Sequence, residues 1–416
     1  MKSLTPLLKK VLAEIKPSAQ EQKEFSSATA SFLKKLNAEL KDAKATLGGS
    51  GANGTWLSGN HDADIFVAYD YKQYAEKSSA LSDILEPILN KLFPKQKKQR
   101  LHGSRDYFQL QYENFTFEVI PILQIKKAEE AKNITDVSVL HSIWVNKEAK
   151  SIKEEILLAK QFCKAQLCYG AESHIGGLSG HVIEILLVNY SSFDKFLKAA
   201  IRWGLQEVID PEDHYKNRDV MFALNKSKLQ SPLIVIDPVD KNRNAAAAFT
   251  EEKFYHLKEV AREYLKKPSE AFFKKKKIDW EEEAKKKKLN LVLLELEPLE
   301  GKRDVVGVKL GKIFDFLKKK IASFQIKQTH WDWDTIAFLL EKRELPAEEV
   351  RQGPPLELTE HVKQFKKMHK ETFVKDGKVW AKVAVKHPRL EDFVKAVMKE
   401  KYVLEKVKKV KKVKVE

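Results

Sequence analysis

Apolar residues at Phe25, Ala28, Phe32, Leu36 and Leu40 recur at three- and four-residue spacing. That spacing predicts a helix with one buried stripe, begun at Pro17-Ser18. All of 1–46 reads as helical, and Gly48-Gly49-Ser50-Gly51 ends it. The period then changes to two. Strands are predicted over 64–69, 107–112 and 115–123, the last two forming a hairpin at Glu113-Asn114, with a helix over 79–93. Together they make a small α/β unit over 1–140.

The helical period returns over 141–265. Helices are predicted over 152–168, 179–188 and 192–203, and a short apolar strand over 233–236. Within the second of these helices, the apolar run 182–188 is interrupted by Glu184. From 289 onward, strands (289–296, 324–331, 334–341 and a hairpin at Asp376-Gly377) alternate with helices (304–322 and 359–369). The order β-α-β-β-α-β is the split βαβ, or ferredoxin/RRM-like, arrangement of many RNA-binding modules, though that fold has other uses. The stretch 401–416 alternates Lys with Val and reads as a solvated basic arm. The predicted class is α+β multidomain, in four segments: 1–140, 141–265, 266–388 and 389–416. There are no internal repeats.

Composition narrows the partners. A chain of 416 residues, 43% hydrophobic and 32% charged, has material for real cores. At ~100–200 residues each, that length allows about two to four domains. Lys and Arg number 76 against 59 Asp and Glu, a net charge of +17. A polyanion is the natural partner, nucleic acid first, although a lysine-rich proteome produces the same excess. Runs of four lysines stand at 274–277 and 285–288. No apolar stretch is long enough for a membrane span, and Met1-Lys2-Ser3 with Lys9 and Lys10 does not read as a secretion signal. The two cysteines, Cys163 and Cys168, are spaced for neither a disulfide scaffold nor a thiolate metal site; they read as buried thiols in a reducing cytoplasm.

The chemistry concentrates in 49–67. Gly49-Ser50 opens a turn of small residues, where backbone N–H groups and a hydroxyl can approach a phosphate. Asp62-x-Asp64 then enters a strand, whose alternation puts both carboxylates on one face. Glu118 is a charge inside an otherwise apolar and β-branched strand, costly to bury without a partner. Three carboxylates beside a phosphate-holding turn suit Mg²⁺ in a two-metal site.

The segment resembles the nucleotidyltransferase signature of the polymerase-beta superfamily. The longer match, from Gly49-Ser50 through Gly54-Thr55-Trp56-Leu57 to Asp62-Ala63-Asp64-Ile65-Phe66-Val67, is similar to archaeal-type (class I) CCA-adding enzymes. Tyr169-Gly170-Ala171-Glu172, Gly177-Leu178-Ser179-Gly180-His181 and 233–247 (with Asp237-Pro238-Val239-Asp240 and Arg243-Asn244) resemble further elements of that family. The resemblance is close over roughly 10–275 and looser beyond. It implies a nucleotidyltransferase catalytic domain over 1–140, a central helical nucleotide- and tRNA-binding domain over 141–265, and an RNA-binding region after it. The implied reaction is template-independent addition of CCA to tRNA from CTP and ATP, with release of pyrophosphate.

By motif position, Ser50 would contact the triphosphate, and Asp62, Asp64 and Glu118 would hold the metals. His141, Lys160 and Tyr169 would lie near the triphosphate, Asn53 would belong to the nucleotide site, and Arg243 would read the incoming base. Each also has a plain structural reading: a helix cap for His141, the polar edge of a helix for Lys160, core for Tyr169, an exposed helix start for Arg243. The sequence departs from the family's pattern in four places. Glu118 replaces an aspartate, shifting a ligand by about an ångström; Asn53 stands where a basic residue is common; Gly176 stands where an arginine is common; and the region after Val379-Trp380-Ala381 is shortened and replaced by the Lys/Val stretch. Those departures keep a CC-, A- or oligo(A)-adding enzyme and an inactive RNA-binding paralogue open. Monomer and homodimer both fit.

Overall fold

The computed structural model describes residues 4–60, 62–216, 218–276 and 278–416. The chain divides into two compact units at 276/277.

In the first unit, Thr5 caps α1 (Pro6–Ile15), and Ser18 and Glu21 form a reciprocal capping box on α2 (Ala19–Glu39). The helix predicted through 46 stops earlier. Asp42 adopts a left-handed turn (φ 54°), and the chain enters a strand, β1 (Ala43–Leu47). The short α3 (Gly49–Asn53) precedes β2 (Asp62–Tyr69). Then come α4 (Tyr71–Tyr74), α5 (Leu81–Leu92), β3 (Lys98–Leu101), β4 (Tyr107–Tyr112) and β5 (Phe115–Leu123).

The sheet order is β1-β2-β5-β4-β3, with β2 and β5 parallel and the other pairs antiparallel. One face buries Ile65, Val67, Leu110, Phe117 and Val119 against Phe32 and Leu36 of α2 and Leu85 and Leu89 of α5. Phe32 stacks on Phe117 and Phe93 at ring separations of 4.5 and 4.6 Å. Period-two alternation then turns Asp62, Asp64 and Glu118 to the opposite face.

A second core lies among α6 (Ser138–Glu148), α7 (Lys153–Ala165), α8 (Gly180–Tyr190), α9 (Phe193–Arg202) and α11 (Glu251–Lys266). Between α9 and α11 stand β6 (Glu207–Ile209), α10 (Val220–Ala223) and β7 (Leu233–Val235), with β6 and β7 paired in parallel. Helix α1 lends Leu8, Val11, Leu12 and Ile15 to this core rather than to that of the sheet. Cys163 and Cys168 are buried free thiols in it.

The second unit runs through α12 (Trp280–Lys287), β8 (Asn290–Pro298), α13 (Arg303–Ile321), β9 (Ile326–Asp332), β10 (Thr335–Leu340), β11 (Glu348–Pro355), α14 (Thr359–Met368), β12 (Glu371–Lys375), β13 (Lys378–Ala384), α15 (Leu390–Val397), α16 (Lys401–Leu404) and β14 (Val407–Val415). Its main sheet is antiparallel, in the order β14-β8-β10-β9. The β-α-β-β-α-β order is therefore present, but its second helix is α15 and its last strand is β14. The helix at 359–369 and the hairpin at 376–377 belong instead to an inserted three-stranded sheet, β11-β13-β12, with its own small core of Val362, Phe365, Val379 and Ala381.

The Lys/Val segment is not a solvated arm. Val407 is buried, and Val410, Val413 and Val415 pack against the same core. Two register shifts against β8 bring valines three apart onto one face. Lys408 and Lys412 pair with Glu297 and Glu295 of β8. Removing 407–416 is thus expected to strip β8 of a neighbour and unfold the second unit, seen as loss of its cooperative melt while the first unit's persists. Among the described residues, no helix is long and apolar enough to cross a membrane.

Candidate active site

The parallel register of β2 and β5 sets Asp64 directly opposite Glu118. Adjacent strands are about 4.8 Å apart, and Asp62 stands two residues from Asp64 on the same face. Gln109 of β4, the cross-strand neighbour of Glu118, donates its amide to Glu118 Oε1 at 3.3 Å. Burial first, and then the charge of Asp62, push the Asp64 carboxyl up to about 6. The phenol of Tyr107 is pushed up to about 12 by burial and then by Glu118 and Asp64. These shifts describe a carboxylate cluster short of positive charge.

The small-residue turn closes on that cluster. Gly48 N–H donates to the Asp64 carbonyl at 2.8 Å. Gly49 has φ +52°, and a β-carbon there would lie 1.9 Å from Asp64 Oδ2. Only glycine permits both the backbone conformation and the approach. Ser50 follows in α3. Three carboxylates on rigid strands beneath such a turn fit a hard divalent cation, whose preferred ligands are oxygens.

Opposite the sheet stand α7 and α8. Lys160 (3% exposed) donates to Glu184 Oε1 at 2.8 Å, to the Thr55 hydroxyl at 3.0 Å and to the Thr55 carbonyl at 3.2 Å. Those bonds match the three donors of an ammonium. Asn53 is equally engaged. Its amide donates to Glu184 Oε2 at 3.3 Å and accepts from Asn146 at 3.2 Å. Thr55 donates its hydroxyl to Glu184 Oε1 at 2.5 Å. Glu184 thus joins the loop after α3 to both helices. Burial raises its carboxyl, but the charge of Lys160 and contacts from His181 and Lys160 outweigh that and hold it far below the usual range. Its hydrogen-bond partners Lys160, Thr55 and Asn53 lie 24, 129 and 131 residues away.

Tyr169, half-buried, reaches toward the first residue of α8; a β-carbon on Gly180 would lie 2.9 Å from its hydroxyl and 3.6 Å from Lys160 Nζ. Burial, then Glu184, Glu172, Cys163 and Asp64, raise its phenol beyond the ordinary value. His141 on α6 meets Asp237 just after β7, Nε2 lying 2.9 Å from Oδ2. Burial lowers the His141 imidazole against the opposing pull of Asp237. Arg243 donates to the same Oδ2 at 2.7 Å, and the backbone N–H groups of Val239 and Asp240 hold Oδ1 at 3.0 and 3.3 Å.

Sequence reasoning thus named the carboxylates and the turn, but gave no role to Glu184, Asp237, Thr55 or His181. Glu184 had left a signal, as the one charge in an apolar helical run.

Three family profiles match: a nucleotidyltransferase domain over 30–159, the second domain of tRNA nucleotidyltransferase over 154–274, and the C-terminal domain of CCA-adding enzymes over 310–414. The CCA-adding enzyme of Nanoarchaeum equitans is 37% identical over 66% of this chain and 67% of its own. That of Pyrococcus abyssi is 31% identical over 90% and 84%, and that of Methanosarcina mazei 28% identical over 86% and 80%. A solved structure of Cid1, titled for its RNA terminal uridylyl transferase activity, shares the fold at a TM-score of 0.51 and 15% identity, over 65% of this chain and 97% of that one. With relatives above 30% identity aligned along most of both chains, and profiles matching in the family's own order, this chain belongs to the CCA-adding enzymes, a family of tRNA nucleotidyltransferases.

Proposed function

We propose that the chain adds C, C and A to the 3′ end of tRNA from CTP and ATP, by metal-dependent nucleotidyl transfer that releases pyrophosphate. The observation that carries this reading is the in-register pair Asp64 and Glu118, with Asp62 on the same face, under the Gly49-Ser50 turn, in a chain of this family. The 3′ hydroxyl of tRNA attacks the α-phosphorus, and the α–β bond breaks in line. Asp62, Asp64 and Glu118 would hold Mg²⁺, which supplies positive charge for the triphosphate and eases ionisation of the attacking hydroxyl. Glu118 reaches the same face as the two aspartates, so its longer side chain is compatible with a three-carboxylate set.

The turn at 49–51 offers backbone N–H groups and the Ser50 hydroxyl to the triphosphate. Tyr169 offers a phenol donor beside it. Lys160 and Asn53 act one step back, holding the loop after α3 through Glu184 and Thr55, because their polar groups are already engaged. His141 fixes Asp237, and Asp237 orients the guanidinium of Arg243. The rest of that fork can address a base edge. The basic surface suits tRNA phosphates.

The test is extension of tRNA ending at its discriminator base, with all four nucleotides, Mg²⁺ and sequencing of the products. CCA ends are expected. CC, A or oligo(A) ends would reassign the product, and no extension would overturn the reading.

A further inference from the structure

The side chains of His141, His181 and Asp237 come from three elements: α6, the first turn of α8 and the turn after β7. One ligand atom from each lies within 4.8 Å of the other two. His141 Nε2 is 2.9 Å and His181 Nε2 4.0 Å from Asp237 Oδ2, and the two rings sit 4.1 Å apart. Two further observations make this more than a cluster. His181 Nε2 is buried with no hydrogen-bond partner, an unfavourable arrangement unless something binds the nitrogen. The Asp237 carboxylate is also fixed: Oδ1 is held by two backbone N–H groups, and Oδ2 is turned to the histidines.

We infer that His141, His181 and Asp237 form a transition-metal site of the zinc or cobalt class, separate from the carboxylate triad. Two imidazoles and one carboxylate are ligands that such ions take, whereas Mg²⁺ prefers oxygen. Bonds of about 2.0–2.2 Å in tetrahedral geometry place ligand atoms about 3.3 Å apart. The observed 2.9 and 4.0 Å bracket that figure, so small side-chain rotations suffice. A competitor is built in. Arg243 holds the same Oδ2 at 2.7 Å, and a dication there would repel its guanidinium. Arg243 is about one-third exposed (32%) and has solvent to move into. Loading the site therefore unhooks Arg243 from Asp237, so the ion acts on the residue we assign to base reading. Metal binding by these three side chains does not depend on that assignment.

The probe is Co²⁺ added to the full chain, free of any affinity tag, in excess Mg²⁺. One tightly bound Co²⁺ with the intense visible absorption of a tetrahedral nitrogen-ligated ion is expected. The band should persist in Asp64→Asn. His181→Phe should weaken binding by about 100-fold or more, the upper end of what even an outer-shell partner is worth. His141→Gln, which can still hydrogen-bond Asp237, carries the same comparison should the first variant fold poorly. The inference is overturned by no band in the wild-type chain, by equal Co²⁺ binding in all variants, or by a band lost in Asp64→Asn but kept in His181→Phe.

Discussion

Asp64→Asn is expected to lower nucleotide incorporation by about 10³-fold or more, the scale of losing one preorganised contact to developing charge, while leaving tRNA affinity unchanged. Asparagine keeps the shape and removes the charge, so the turn over Gly49 is retained. In the proposed function, affinity for tRNA comes from lysine and arginine contacts to phosphates, which this change does not touch. The same substitution is expected to stabilise the metal-free chain. Folding raises the Asp64 carboxyl from 3.8 to about 6, chiefly by burial. A raised acid binds more protons in the folded state, so its ionisation works against folding as pH rises through that interval. At neutral pH and without metal, removing the charge should gain roughly 2–3 kcal/mol, at 1.36 kcal/mol per pK unit. Saturating Mg²⁺ should shrink that difference by stabilising only the wild-type chain. Denaturant melts with and without Mg²⁺, run beside primer extension, check both halves. Lost tRNA binding or a lowered melt would instead mean a damaged fold.

Lys160→Met is expected to cost about 3–5 kcal/mol, because it leaves Glu184 charged, buried and unpaired. Adding Glu184→Gln to it should recover much of the loss, since no lone charge then remains inside. Surface pairs such as Lys363–Glu360 should give no comparable effect. The sign with pH follows from the depressed Glu184 carboxyl. Its contribution is complete above the ordinary value of 4.5 and is lost only as the solution is acidified below it. Melts at neutral pH therefore report the whole effect. The nucleotide KM should rise in Lys160→Met even at temperatures where the chain stays folded, because the loop carrying Asn53 and Thr55 loses its tether. An unchanged KM would return Lys160 to a purely structural role.

The carboxylate face was legible because strand alternation is a local property. Once 64–69, entered through Asp62, and 115–123 read as strands, the side of the sheet that carries Asp62, Asp64 and Glu118 followed. The neighbouring network was not legible in the same way. Glu184 stood out in its helix, but its contacts with Asn53 and Thr55 span 131 and 129 residues, and no periodicity encodes such a pairing. Strand β1 was lost because five residues after a long helix carry too little pattern to overrule it. The 401–416 stretch misled because valines three apart match neither a strand nor a buried helix until two bulges in the pairing with β8 are known. The split βαβ order was recovered with the wrong final elements, since the insertion from β11 to β13 brings a helix and a hairpin of its own.

The partnership of β8 with β14 has a consequence for biosynthesis. Leu291 and Glu416 exchange backbone hydrogen bonds at 2.8 and 3.0 Å, so one of the earliest strands of the second unit waits for residues the ribosome delivers more than a hundred codons later. Until then a strand rich in leucine has an unsatisfied edge, the state in which nascent polypeptides self-associate. The five-stranded sheet of the first unit, by contrast, completes all its strand pairs within 43–123, which makes the wait for β14 the time when a holdase chaperone has most to shield.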